Sequence, residues 1–345
     1  MKKVTKLFVL FVLFVFTAFG CAMYQMNEAQ AAPVLKISHP RPVQSETQAD
    51  LELFVKNIEK YTNGRVKCKI YGANQLGGVE QVMENVAMGT VEMLLGWPNT
   101  TLDPKLEIYD LPGMVATYEE GRKVYKQGSP FMAVLNEAYS KFDQIVIAAY
   151  PSGFQYQLFK NKPKNDVYDP MAKKPYKLRV AGLKYLVYTT DALGYITSTM
   201  PWGEVFTGLQ TGIIDGLGAY SSESTYLMLR DAIKYVLPVR TFCDMYLLTI
   251  NKEVWDGFSE TDRAAVAKAA AEFQEKRFSR VPASDKEYLK KLADHGVTIM
   301  NVTEKQQAAF QKRIKDYVWP RLRKDMGAAF FDKATKAAEA SKKSK

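Results

Sequence analysis

The stretch MPWGEVFTGLQTGIIDG, residues 200–216, places a helix of scarcely two turns among several turn signals. Pro201 suits the first turn of a helix, and Gly212 is typical of the residue that ends one. The inner face of this helix is predicted to consist of Val205, Phe206 and Leu209. Turn residues so close to both ends of the helix leave only short connections, which indicates that the helix packs tightly against a neighbouring strand.

The residues after this helix predict a strand. Ile213 and Ile214 begin it, and Asp215-Gly216 is a turn signal. On one interpretation the short helix directs Trp202 toward Arg179, which lies upstream. The alternative is a core tryptophan on an ordinary strand-helix-strand crossover, and the pattern leaves both open.

Basic and apolar residues alternate in YKLRVAG, residues 176–182, which predicts a strand with Lys177 and Arg179 on one face. Arg179 therefore projects beside Gly182, where the strand ends. A guanidinium that faces a cleft can hold a carboxylate or sulfonate through two parallel hydrogen bonds. By itself the pattern favours an ordinary surface arginine, so a binding role needs further support.

Strand and helix patterns alternate along the chain, which predicts the α/β class. The first unit consists of a strand at 34–38, a helix at 46–61, a strand at 65–71 and a helix at 79–88. A second unit begins near residue 144, and Pro151-Ser152-Gly153 indicates a crossing between lobes. Because no low-complexity linker divides the chain, the two lobes are expected to be interleaved.

Residues 259–294 carry a helical pattern of about ten turns. Ser259 with Asp262 resembles a capping box at its start. Pro282 lies in the interior and predicts a kink or break near Phe278. Two alternatives stay open: one long helix that spans both lobes, or two ordinary helices divided at Pro282.

The N-terminus has the features of a secretory signal peptide. Three lysines precede an apolar run at 7–16, which is shorter than the roughly 20 residues that span a bilayer. Ala29-Gln30-Ala31 fits a cleavage site, so residues 1–31 are expected to be removed and the mature chain to be periplasmic. The alternative is a lipid anchor at Cys21, which the bulky Phe19 disfavours.

Composition limits the classes of partner. The chain has 345 residues, 47% of them apolar, and a formal net charge of +10. From Arg321 onward there are eight Lys or Arg against three acids, which predicts a solvated, frayed tail and not a nucleic-acid surface. Cys68 and Cys243 lie in separate apolar patterns, and a disulfide and two core thiols both stay open.

Catalytic and metal-binding motifs are missing from the sequence. The two histidines, His39 and His295, are not near a nucleophile-elbow pattern. Phosphate-binding, dinucleotide-binding and zinc-protease motifs are also missing. The competing class is a secreted enzyme with Glu204 or Asp215 as general acid or base. A carboxylate such as Glu204 is equally explained by the positive end of a helix dipole.

Together these segments resemble the solute-binding proteins of the TRAP (tripartite ATP-independent periplasmic) transporters. KLRV at 177–180 is similar to the family motif K-[IL]-R-V. Residues 200–216 match M-P-x-x-E-V-[YF]-x-x-L-Q-[TS]-G-x-[IV]-D-G at nearly every position. YGANQLGG, IYDLPGM and DALGY resemble further family segments, so the similarity covers essentially the whole mature chain.

The resemblance implies a two-lobed periplasmic binding protein fold of the α/β class, with crossing strands and a long lobe-spanning helix. The expected divisions are a signal peptide at 1–31, lobe I at 32–152 plus 245–284, lobe II at 153–244 plus 285–330, and a basic tail at 331–345. No catalysis, cofactor or metal is implied. The expected partners of this monomer are a small organic anion and TRAP membrane subunits.

The resemblance also implies a set of ligand-binding residues. Arg179 matches the arginine that holds the ligand carboxylate in this family, and Trp202 matches an aromatic position of the pocket. Alignment from nearby motifs places His39, Trp97 and Gln155 at other pocket positions.

Two polar anchors of many relatives are replaced in this chain. Gln155 stands where many carry a second arginine, and Ala219 stands at an asparagine position. Trp97 and Trp202, with Tyr220 nearby, could narrow the cavity or stack on a flat ligand. A small C4-type carboxylate is expected first, with a short sulfonate such as isethionate as the rival. A sensor's binding partner or a lipid-tethered scaffold would need the same cleft.

Overall fold

A computed structural model describes residues 34–343, so the predicted signal peptide and Cys21 lie outside the described residues. The strands in this part of the chain are β1 Val34–Ser38, β2 Lys67–Tyr71, β3 Met93–Gly96, β4 Gln144–Phe154, β5 Tyr156–Phe159, β6 Lys177–Val180, β7 Ile196–Thr199, β8 Gly216–Tyr220, β9 Tyr235–Leu237, β10 Cys243–Asn251 and β11 Thr298–Ile299.

The α-helices are α1 Glu46–Tyr61, α2 Val79–Ala87, α3 Tyr118–Val124, α4 Pro130–Tyr139, α5 Lys184–Ala192, α6 Val205–Thr211, α7 Ser222–Leu229, α8 Lys252–Gly257, α9 Glu260–Asp294, α10 Glu304–Met326 and α11 Ala328–Lys343. Short 3-10 helices cover Pro104–Asp110, Ser140–Phe142, Asn165–Tyr168 and Trp202–Glu204. Among the helices described, none has both the length and the apolar character needed to cross a membrane.

The first sheet has the strand order β2-β1-β3-β10-β4. β1 is parallel to β2 and β3, whereas β10 is antiparallel to β3 and β4. Leu35 and Ile37 of β1 pack with Leu51 and Phe54 of α1 in the core on one side of this sheet. The alternating strand and helix patterns of the first unit thus form a layered α/β lobe, as predicted.

The second sheet has the order β11-β9-β5-β8-β6-β7. β6 is parallel to both β7 and β8, and β5 is antiparallel to β8 and β9. Leu178 and Leu217, on neighbouring strands, are buried in its core. The two sheets define a first and a second lobe.

Two chain segments cross between the lobes. β4 of the first sheet ends at Phe154, and after Gln155 the chain continues as β5 of the second sheet. The return segment runs from β9 to β10, and the N–H of Gln155 donates to the carbonyl oxygen of Phe242 at 3.0 Å. The crossing therefore lies slightly later than the predicted Pro151-Ser152-Gly153, which belongs to β4. The exact lobe boundaries given above stay a prediction.

The long helical pattern forms one helix. α9 continues through Pro282, and the Ser259 side chain accepts a hydrogen bond from the N–H of Asp262 at its start. Phe273 packs in the core of the first lobe, whereas Leu292 belongs to the core that includes the second sheet. Since 35 residues rise about 50 Å, α9 is long enough to contact both lobes.

The predicted frayed tail is wrong for the residues that are described. α11 runs to Lys343, and its buried residues, Phe331, Ala334, Ala338 and Ser341, recur at helical spacing. The Ser341 hydroxyl accepts a hydrogen bond from the N–H of Phe131 on α4 at 3.2 Å. The basic composition concealed this apolar face, which anchors α11 to the first lobe.

Cys68 and Cys243, the two cysteines of the described residues, are free thiols. Cys243 is buried in β10, as the apolar pattern predicts, and Cys68 is half-buried in β2. Burial raises the pKa of the Cys68 thiol to about 12. The alternative of two separate thiols is therefore the one that the structure supports.

Candidate ligand-binding site

Arg179 lies near the carboxyl end of β6, and its charged side chain is only 8% exposed. Its Nε and Nη2 donate to the carbonyl oxygen of Met200, at 2.9 and 2.7 Å. This fixes the plane of the guanidinium against the start of the 200–216 stretch. Burial lowers the pKa of Arg179, and Tyr220 opposes part of that shift. An anion bound beside this desolvated cation would be strongly stabilised.

The helix in the 200–216 stretch follows the sequence prediction only in part. α6 ends at Gly212, whose φ is +77°, the left-handed conformation that glycine adopts without strain. Val205 and Leu209 are buried as expected. Phe206 is 45% exposed, so its predicted place on the inner face is wrong.

The strand after α6 begins later than predicted. β8 starts at Gly216, and Ile213 lies in the preceding turn with 54% of its surface exposed. Asp215 joins this turn to β6, because its Oδ2 accepts from the N–H of Lys177 at 2.8 Å. A Cβ at Gly216 would lie 1.8 Å from the carbonyl oxygen of Leu158, so only glycine lets β5 and β8 approach this closely. The glycine and turn residues thus position β8 beside Arg179.

A cavity of about 640 Å³ lies between the two lobes. Residues after β1 and β3, and residues of β4 and β10, form its wall in the first lobe. Residues after β6 and β7, and the end of β8, form its wall in the second lobe. Ligands of open α/β sheets bind outside the carboxyl ends of the strands, which is where this cavity lies.

Five of the predicted site residues line this cavity: Arg179, Trp97, Gln155, Ala219 and Tyr220. Trp97 donates its Nε1–H to Glu80 at 2.9 Å and packs edge-on against Tyr246. The Gln155 side chain is buried, and its Nε2 donates to the carbonyl oxygen of Gly153 at 3.3 Å. Contact of these five residues with a ligand stays a prediction.

The remaining two predicted residues are His39 and Trp202. His39 is fully buried and is not among the residues that line the cavity. Its Nδ1 accepts from the N–H of Arg41 at 3.2 Å, so Nε2 carries the proton and donates to Gln48 at 2.8 Å. Burial lowers its pKa, which favours this neutral ring. His39 therefore supports the loop after β1. The side chain of Trp202 lies outside the described part of the structure.

A second arginine of the cavity was not predicted from the sequence. Arg41 follows β1, lines the cavity and is buried. Its Nη1 donates to the hydroxyl of Ser224, and its Nη2 lies 3.2 Å from Oε2 of Glu223, both on α7 of the second lobe. The one signal in the sequence was the position of Arg41 shortly after a predicted strand. Its partner Glu223 lies about 180 residues further along the chain, so no local pattern connects the two.

Two neighbouring carboxyl groups were also missed, of which Asp110 is buried and Asp244 is half-buried. Asp244 of β10 lines the cavity, and its carboxylate is hydrogen-bonded to Ser152 and to Asp110. Asp110 is 2% exposed and accepts from the hydroxyl of Tyr185 at 3.4 Å and from the N–H of Met245. The cavity therefore contains an acidic group as well as arginines.

The residues proposed for an acid or base catalyst do not meet at this cavity. Glu204 is exposed and Asp215 accepts a backbone hydrogen bond, and neither lines the cavity. Within residues 34–343, no cluster of three or more His, Cys, Asp or Glu could hold a metal ion.

Several proteins with a similar sequence or fold are named as binding proteins. The C4-dicarboxylate-binding periplasmic protein DctP of Rhodobacter capsulatus is 27% identical over 285 residues, which cover 81% of this chain and 83% of that protein. The ectoine-binding periplasmic protein TeaA of Halomonas elongata is 24% identical over 309 residues, 86% of each chain. A TRAP periplasmic solute-binding protein from Desulfovibrio salexigens, solved with bound orotic acid, has a TM-score of 0.79 at 20% identity, covering 89% of this chain and 98% of that one. This last similarity confirms the two-lobed fold.

A family model decides the assignment. The model described as bacterial extracellular solute-binding protein, family 7, matches residues 37–325, which include both sheets except for the first three residues of β1 and every cavity residue discussed above. It describes solute-binding proteins and not enzymes. The chain therefore belongs to the bacterial extracellular solute-binding proteins of family 7, the DctP family that its sequence motifs predicted.

Proposed function

We propose that this protein captures a small organic acid in the cavity between its lobes, with Arg179 as the anchor of the acid group, and delivers it to TRAP membrane permease subunits. The observation that carries this proposal is the buried guanidinium of Arg179 in a cavity formed by both lobes. A carboxylate beside it would gain a charge-assisted, bidentate hydrogen bond in a site shielded from water.

The two walls of the cavity give the ligand a means to close the protein. A ligand shifts a conformational equilibrium only by as much as it prefers one state. An acid that contacts Arg179 in the second lobe and Trp97 or Tyr246 in the first has that preference for closed lobes. Closure around the ligand then gives the membrane subunits a surface that reports occupancy.

The expected ligand is a small carboxylate of the C4-dicarboxylate type. The name of the Rhodobacter relative supports this class, and the cavity of about 640 Å³ is large enough for it. A short sulfonate such as isethionate is the second candidate, because a guanidinium and the amide of Gln155 suit either head group. We also propose that the signal peptide at 1–31 directs export and that the mature protein is a periplasmic monomer.

A thermal-shift screen tests this function. The mature chain from Ala32 onward would be screened with C4-dicarboxylates, keto acids, aromatic acids and short sulfonates. A ligand at 100 times its Kd stabilises the folded state by about 2.7 kcal/mol, so the melting temperature should rise with one class. Arg179→Ala should lose the rise, whereas Arg122→Ala, which removes an exposed arginine of α3, should keep it.

Two results would contradict the proposal. One is the lack of any shift with every acid in the screen. The other is an equal shift in wild type and Arg179→Ala. Mass spectrometry of the bound acid after long incubation tests the enzymatic alternative, because a binding protein returns its ligand unchanged.

A further inference from the structure

The cavity that Arg179 lines also contains an acidic side chain, which is not needed to bind a simple anion. Asp244 projects from β10 of the first lobe, and Arg179 projects from β6 of the second. A carboxylate that lines a ligand cavity repels an anionic ligand unless it is protonated or meets a cation. The protonation state of Asp244 therefore decides what this wall can bind.

Asp110 holds the proton of the Asp110–Asp244 pair. Burial raises the pKa of Asp110 well above its ordinary value, and the charge of Asp244 adds to that rise. Burial also raises the pKa of Asp244, but hydrogen bonds from Ser152 and Asp110 and the charge of Arg41 oppose it. Their shared hydrogen bond needs one proton; Asp110, 2% exposed, lies away from the cavity that Asp244 lines, so the proton belongs on Asp110 and Asp244 faces the cavity as a carboxylate.

The neighbouring arginine does not cancel this charge alone. Arg41 already pairs with Glu223 at 3.2 Å, and both side chains are almost completely buried. Arg41 and Glu223 together are neutral, and Arg179 and Asp244 are a further cation and a further anion among the described residues that line the cavity. Glu80 also lines the cavity but is exposed at its rim, where water screens its charge.

We propose that Asp244 is a specificity-determining residue that binds a protonated amino group, so that the ligand is an amino-bearing organic acid with its acid group on Arg179. This inference rests on the proposed function and narrows its ligand class. The aromatic walls, Trp97, Tyr246 and Phe242, contact the carbon skeleton between the two charged ends. A zwitterion matches both walls, whereas an acid without an amine brings no cation to the cavity side of the Asp244 carboxylate.

Matched pairs of acids test this class by calorimetric titration of the full mature protein. Each pair differs by one amino group: L-aspartate and succinate, 4-aminobutyrate and butyrate, L-phenylalanine and 3-phenylpropionate. In every pair that binds, we expect the amino-bearing acid to bind at least about tenfold more tightly, which is the effect of one charge-assisted hydrogen bond.

The variant Asp244→Asn assigns the preference to its residue. It should abolish the tenfold preference, by weakening the amino-bearing acid and strengthening its partner. Asp294→Asn, which removes a carboxylate from the exposed end of α9, should keep the preference. Circular dichroism checks the fold of each variant, and the wild-type ratios remain decisive if Asp244→Asn does not fold.

The outcomes separate the two proposals. If the amine-free acid of each binding pair binds as tightly as its partner, or more tightly, the inference is wrong and the proposed function stands. If Asp244→Asn folds and keeps the full preference, the amine is bound elsewhere and the inference is also wrong. If none of the six acids binds but an amine-free acid of the thermal-shift screen does, the inference is wrong and the proposed function stands; if no acid of either set binds, both are wrong.

Discussion

At the scale of single residues, the close approach of β8 to β5 explains the glycine at position 216. Gly216→Ala would place a Cβ 1.8 Å from a backbone oxygen of β5, so β8 must move. We expect Gly216→Ala to lower the free energy of unfolding by about 1–3 kcal/mol, as measured by urea denaturation. Gly203→Ala is the matched control, because a Cβ there meets open space. Equal stability of the two variants would contradict this account.

A local pattern was enough to select some residues of the cavity, whose contact with a ligand stays a prediction. Strand alternation and the family motif selected Arg179, which lines the cavity. Arg41 and Asp244 could not be selected, because their roles depend on residues far along the chain, such as Glu223 and Asp110. His39 had the right position in the motif alignment, but its side chain turns into the core beside the cavity.

At the scale of elements, the Pro104–Asp110 segment of the first lobe stabilises the start of α5 in the second. Glu107 is buried and accepts from the N–H groups of Lys184 and Tyr185, at 3.2 and 3.0 Å. Burial raises its pKa to about 7, and these hydrogen bonds oppose the shift only in part. The folded protein therefore binds a proton at Glu107 that the unfolded chain loses near pH 4.5.

This raised pKa predicts a pH dependence of stability. The contribution of Glu107 is complete below the unfolded pKa and is lost as the pH rises through about 7. Between pH 5 and 8 the free energy of unfolding should fall more steeply in wild type than in Glu107→Gln, by up to about 3 kcal/mol. Urea denaturation across this range measures the difference. Glu304→Gln, at an exposed site, should follow wild type, and a Glu107→Gln profile that does the same would refute the prediction.

Element boundaries were predictable where pattern and caps agree. The pattern at 46–61 matches α1 residue for residue, and Ser45 caps it as expected of such a residue. α11 was not predicted because its many basic residues suggested a solvated tail. They concealed a buried face of four residues at helical spacing. The continuity of α9 through Pro282 depends on packing against both lobes, which a local pattern does not contain.

At the scale of the whole molecule, the α/β class and the interleaved lobes followed from sequence, because strand and helix patterns alternate and no linker divides them. The strand order within each sheet did not, since it depends on backbone pairing between strands that are distant along the chain. This arrangement predicts closure: at saturating ligand, small-angle scattering should show a smaller radius of gyration in wild type and no change in Arg179→Ala. An unchanged radius in wild type would argue against closure driven by contacts to both lobes.

The central claim is that the buried guanidinium of Arg179 holds an organic acid between the lobes. Its most direct test is calorimetric titration of the acid with the largest thermal shift into wild type, Arg179→Ala and Arg122→Ala. We predict that Arg179→Ala weakens binding by at least about thirtyfold, since truncation of one partner of a buried charge pair costs 2 kcal/mol or more, and that Arg122→Ala binds as wild type does. Binding of the acid by Arg179→Ala within about threefold of wild type would contradict the claim.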